Sequence, residues 1–179
     1  ESGRWTAELG ATSDLLLRLP ASSDPLSDVG PQADLLYKLR VTPSEAVWEL
    51  RWKFRLNDAR IDQWQLSCEP NLHLDRMSAD GPIQVENLVA DNEQQLFQLK
   101  FDSPLKEDAV LVGVFTEPLL GGSGGLRLPA VDIAGLRIAR RELFIESHPG
   151  IDLRVQESTG WIPADAITES KRWGIPLGE

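Results

Sequence analysis

The sequence predicts an all-β fold, an antiparallel β-sandwich of about ten or more strands with little helix, on three observations. Apolar residues alternate with polar ones at a period of two through most of the chain. Clusters of Ser, Asp, Asn, Gly and Pro recur between these short runs, at the spacing of turns in a sandwich or barrel. Residues 161–179 lose the alternation and read as an irregular tail with room for one short helix after Pro163. At 179 residues, with 41% hydrophobic and 26% charged side chains, the chain has the balance of a folded globular protein, and residues 1–179 are read as one domain.

Taken in order, residues 5–9 and 15–19 flank Gly10-Ala11-Thr12-Ser13-Asp14 and predict a hairpin. Residues 20–34 read as a long loop. Leu35, Tyr37, Leu39 and Val41, then Trp48, Leu50, Trp52, Phe54 and Leu56, form two alternating strands joined by the turn Thr42-Pro43-Ser44-Glu45. Ile61, Trp64, Leu66 and Cys68 continue on a further strand, with a phase slip after Ile61 that suggests a bulge. Residues 72–77, 83–88, 96–101 and 110–115 supply more strands. The last of these is apolar on both faces and is expected to be central and covered from both sides. Residues 121–125 are a flexible glycine-rich loop, after which alternation resumes over 127–139, 142–146 and 151–155.

A net charge of −10 opposes association with nucleic acid or an anionic membrane. No apolar run approaches a membrane span, and the opening Glu1-Ser2-Gly3-Arg4 reads as the start of a fragment excised from a larger protein. The single cysteine, Cys68, is in phase with Trp64 and Leu66 and is expected to be a buried thiol, so cysteine usage does not settle the compartment.

Motifs for chemistry are sparse. Gly121-Gly122-Ser123-Gly124-Gly125 matches the G-x-S-x-G nucleophile elbow in letters, but the elbow needs a helix directly after it and Pro129 follows within a few residues. A hydrolase using Ser123 is thus a weak alternative. His73 and His148 lie in unrelated segments and read as surface residues. Asp91-Asn92-Glu93 and Glu107-Asp108 lack calcium-loop spacing, and acids in turns need no metal. No catalytic, metal or cofactor residue is assigned. Of six tryptophans, Trp48, Trp52 and Trp64 are in phase with core residues; Trp5, Trp161 and Trp173 are the candidates for an exposed sugar-stacking platform, which makes a carbohydrate-binding module the principal alternative function.

The alternation that buries Tyr37, Leu39, Trp48, Trp52 and Phe54 turns Lys38, Arg40, Glu49, Arg51, Lys53 and Arg55 outward. Bases on one face of an acidic chain need partners. Acids of the same domain, such as Glu69, Asp102 or the acidic loops, are one source. An acidic neighbouring domain or an anionic polysaccharide docking on Lys38, Arg40, Arg51, Lys53 and Arg55 is the other.

The run Leu36-Tyr37-Lys38-Leu39-Arg40-Val41 and the strands at 48–56, 61–66, 72–77 and 96–101 resemble β-sandwich segments of large bacterial envelope proteins, over roughly residues 35–156. The same segments are similar, more faintly, to the non-catalytic N-terminal β-domain of M1-type zinc aminopeptidases. The resemblance implies an extracytoplasmic setting, periplasmic or secreted, in which this domain is a non-catalytic spacer, scaffold or interaction module whose partners are adjacent domains of the same polypeptide.

Overall fold

The computed structural model of the chain describes residues 8–9, 15–19, 30–88, 94–119, 126–147, 151, 153–154 and 160–176. Its strands are β1 (Glu8–Leu9), β2 (Leu15–Leu19), β3 (Gln32–Val41), β4 (Glu45–Arg55), β5 (Gln63–Cys68), β6 (His73–Ser78) and β7 (Ile83–Leu88). They continue as β8 (Gln95–Phe101), β9 (Val110–Pro118), β10 (Val131–Ile133), β11 (Arg137–Ser147), β12 (Leu153–Arg154) and β13 (Ile162–Pro163), followed by helix α1 (Ala166–Trp173). A seven-stranded sheet in the order β13-β2-β11-β3-β4-β9-β6 packs on a four-stranded sheet in the order β10-β5-β8-β7. The all-β sandwich expected from the alternation is the fold.

The core lies between the sheets. Leu35, Tyr37 and Leu39 of β3 stand opposite Trp52, Leu50 and Trp48 of β4. These face Trp64, Leu66 and Cys68 of β5 and Phe97, Leu99 and Phe101 of β8 across the interior, with the Phe54 and Trp64 ring centroids 4.9 Å apart. Each fully buried side chain of this kind contributes about 1.5–3 kcal/mol. A one-residue slip would carry a whole row into water, so burial fixes the register. At Gly113 of β9, an added Cβ would lie 2.7 Å from the Phe115 ring; only glycine leaves Phe115 its place in the core.

Several expectations are corrected. β3 starts at Gln32, so residues 32–34 of the expected loop are strand; residues 20–29 lie outside the described residues. The N-terminal segments do not form a hairpin: β1 pairs with β12, whereas β2 lies between β11 and β13. The slip after Ile61 is the start of a strand rather than a bulge, since β5 begins at Gln63 and pairs with β8 without interruption. Register shifts occur instead at Leu74/Arg76 and at Ile138/Arg140. The second shift lets residues 137–147 run as one strand across the break in alternation at Arg140-Arg141-Glu142. β9 is next to the edge strand β6 rather than central, and its Val110, Val112 and Val114 are only half-buried. The central strand is β3, and it pairs in parallel with β11.

The tail after Pro163 holds the expected short helix. Asp165 caps it, its carboxylate accepting from the Thr168 N–H at 2.9 Å. Gly174 ends it in the left-handed conformation at φ 65°. Among the described residues no helix is long and apolar enough to cross a membrane.

Candidate functional site

The outer face of the seven-stranded sheet gathers most of the charged residues singled out above. Its register pairs opposite signs: Asp34 stands across from Lys53 and Glu49 from Lys38, while Arg51 faces Leu36. Like charges therefore do not stand across from one another between β3 and β4. Arg55 binds Asp34 at 2.5 Å and Arg51 binds Glu49 at 2.6 Å. Lys53 lies 3.9 Å from Asp108, and Lys38 lies 3.9 Å from Glu146 with its ammonium above the Phe144 ring. Arg40 is exposed and takes no carboxylate among the described residues. The acids come from within the chain, and one of them, Asp108, belongs to the acidic loops. Glu69 and Asp102 serve elsewhere, accepting from the Ala130 N–H and the Gln84 amide.

Part of this face is sealed. Leu16 of β2, Leu36 of β3, Phe144 of β11 and Trp173 of α1 form a second small core, joined by Ala164, Ala166 and Ile175. Charged residues frame it. Glu142 of β11 is 0% exposed and Glu169 of α1 only 1%, yet each is engaged by three arginines. Arg140 reaches Glu142 at 2.6 Å and Glu169 at 2.7 Å. Arg172 reaches Glu142 at 2.8 Å, Glu169 at 3.3 Å, and also Asp34. Arg18 binds Glu169 and lies 3.6 Å from Glu142. The Trp173 indole N–H donates to the other Glu142 oxygen at 2.5 Å.

Burial raises the Glu142 pKa above the usual carboxylate range, against the pull of the Trp173 hydrogen bond and of Arg140 and Arg172. Burial also works against ionised Glu169, but its hydrogen bonds with Glu142 and Arg172 and the charges of Arg140 and Arg18 outweigh it and lower the pKa. Of the two carboxyls, Glu142 holds a proton more tightly. Spacing within α1 explains the arrangement: Glu169, Arg172 and Trp173 fall at i, i+3 and i+4, one above the other on the helix face turned to the sheet. These carboxylate oxygens are occupied by arginine and indole donors, so the arrangement fastens α1 to the sheet.

Trp173 is thus buried at the helix–sheet contact and offers no stacking surface, because its ring covers Leu36 and Phe144 and its N–H is spent on Glu142. Trp161 is half-buried against the main core. Trp5, Ser123, His148 and Asp91-Asn92-Glu93 lie outside the described residues. His73 is exposed on edge strand β6, its Nε2 3.7 Å from Asp75. Glu107 accepts from the Leu56 N–H at 2.8 Å. No group of three or more metal-binding side chains converges among the described residues. Cys68 is buried, as its phase predicts, and burial pushes its thiol up to about 11.

Sequence reasoning missed Arg18, Asp34, Arg140, Glu142, Glu169 and Arg172. One signal was present: Leu36 sits on the polar phase of β3, between Asp34 and Lys38, where a wet face has no use for leucine.

Comparison with protein families and with curated proteins gives no match. Among solved structures, a cohesin–dockerin complex of Clostridium thermocellum is similar at 12% identity and a TM-score of 0.42, covering 70% of this chain and 99% of that one. A non-cellulosomal cohesin of Archaeoglobus fulgidus is similar at 13% identity and a TM-score of 0.37, with 64% and 91% covered. An M1 zinc metallopeptidase of Deinococcus radiodurans is similar at 12% identity and a TM-score of 0.38; 56% of this chain is covered, and the chain spans only 23% of that protein.

Proposed function

We propose that the chain is a non-catalytic structural or interaction module, one domain of a larger extracytoplasmic protein. The observation that supports this is the fastening of α1. The most deeply buried acids of the described residues, Glu142 and Glu169, are spent on Arg18, Arg140 and Arg172 rather than left open to a substrate. Such a network holds a surface element in a fixed place, which suits a module that presents surfaces to neighbouring domains. Lys38 and Arg40, at the end of β3 beyond the helix, are the bases best placed to meet an acidic neighbour. The extracytoplasmic setting rests on the sequence resemblance.

The test is the stability of Glu142→Ala. Removing Glu142 leaves the buried Trp173 indole N–H and the Arg172 guanidinium without this acceptor and costs about 1–3 kcal/mol. The unfolding free energy from denaturant titration is expected to fall by that amount. Carboxylates poised for catalysis behave in the opposite way, since their replacement often stabilises the fold. A variant as stable as the parent, or more so, would overturn the reading.

A further inference from the structure

The two large sheets end in β13, β6, β10 and β7, and three of these are poor templates for further pairing. β13 is two residues long and contains Pro163, which has no N–H. β10 is three residues long and runs into the Gly135 turn. β6 carries Asp75 and Arg76 and is broken by a register shift. β7 differs: six residues, Ile83-Gln84-Val85-Glu86-Asn87-Leu88, in unbroken register with β8 and without proline or lysine. Its Val85 lies in the inward row opposite Leu99 yet is 38% exposed.

The direction of the free backbone groups follows from two hydrogen bonds. Phe101 N–H donates to Asp62 on the β5 side of β8, and Asp102 N–H donates to Pro82 on the β7 side. Since direction alternates along a strand, Lys100, Gln98 and Leu96 bond to Gln84, Glu86 and Leu88. Ile83, Val85 and Asn87 then turn their N–H and C=O groups to the open edge, where they have no partner among the described residues.

We propose that β7 pairs antiparallel with β7 of a second copy of this chain, about a two-fold axis at Val85. In this register Val85 meets Val85 of the second copy and Ile83 meets Asn87, and each outward residue both donates and accepts. All of them lie in the inward row, so the two copies' inner faces stay continuous. On the outer face Gln84 meets Glu86, whose charge is already held by Lys100 at 2.8 Å through both oxygens. Moving the axis to Glu86 would set two carboxylates face to face, and any odd shift would turn the apolar row outward. A two-fold pairing also closes on itself, ending the edge rather than propagating it. This association is independent of the role proposed for α1.

Sedimentation equilibrium of the whole chain tests it. The parent is expected to show a monomer–dimer equilibrium that shifts toward dimer with added salt, because each copy carries a net charge of −10. Val85→Pro removes an N–H that β8 does not use and is expected to weaken association about tenfold or more. A monomer at every concentration, or a dimer indifferent to Val85→Pro, overturns the proposal. Val85→Cys tests the register without proline. Facing residues of a hydrogen-bonded pair have Cα atoms about 5.5 Å apart, within disulfide reach. Mild oxidation should therefore link Val85→Cys into a covalent dimer and leave Asn87→Cys monomeric, with buried Cys68 unreactive in both. Equal linking of the two variants, or none of Val85→Cys, defeats the register. A chain that stays monomeric but binds an unrelated extended peptide, with that binding lost in Val85→Pro, assigns the edge to another partner and defeats the homodimer.

Discussion

The two sheets turn polar rows outward by the same alternation and meet opposite fates. On the seven-stranded sheet part of the row of β11 and β3 is buried beneath α1, with Glu142 and Asp34 enclosed among arginines. On the four-stranded sheet Gln63 and Gln65 of β5 and Gln84 and Glu86 of β7 are exposed. Period two reports which residues share a face; it does not report whether that face is wet. The distinguishing mark is composition. The covered face mixes Leu16, Leu36 and Phe144 with ions able to pair, whereas the open one is mainly amides, satisfied equally well by water.

The sharpest way to break this contrast is to remove the apolar half of the cover. Trp173→Ala should cost about 3 kcal/mol, as for other buried aromatic truncations. Native-state hydrogen exchange should show where: amides of α1 lose protection while those of β3 and β4 keep theirs. Loss of protection across the larger sheet would mean that the helix and sheet open as one unit.

Next in size is a pH effect. The raised pKa of Glu142 means that its contribution is full below the ordinary carboxylate value of 4.5 and is lost as pH rises through the folded value. The lowered pKa of Glu169 works the other way, its contribution being present above 4.5 and lost as pH falls through the folded value. Unfolding free energies of the parent and of Glu142→Gln, measured from pH 3 to 8, should therefore differ most in slope above 4.5, where the parent falls and the variant lacks that fall. Parallel curves in that range would show that Glu142 titrates normally.

The smallest effect belongs to the open sheet. Gln65→Ala should change stability by no more than about 0.5 kcal/mol, although Gln65 holds the same phase in β5 as Glu142 does on its own sheet's outer face. A larger loss would mean that this face too is covered.

Much of the fold was legible because burial imposes a period. Alternation alone places Trp48, Trp52, Trp64 and Cys68 in the core, and all four are buried. Most strand positions between residues 35 and 115 follow from the same signal. What stayed hidden depends on contacts between distant segments. Pairing of β1 with β12, the parallel contact of β3 with β11, and the docking of α1 leave little trace in any one stretch of chain. Glu169, Arg172 and Trp173 look like a solvated helix until Glu142, Arg140 and Phe144 are set beneath them.

The parallel pairing of β3 with β11 has a consequence for how the chain is made. β3 emerges well before β11, which is both its neighbour on one side and a partner of β2. β3 and β4 can form their hairpin at once, and β5 to β9 can add to it as they appear. β2 has no sheet to join until β11 is laid down, and α1, which seals both, is later still. Closure of the larger sheet is thus a late, non-local and slow event. A nascent chain halted before Arg137 would carry β3, Gln32 to Val41, paired with β4 on one side and open on the side that β11 covers, and would depend on rapid completion or a chaperone to avoid sticking to its neighbours.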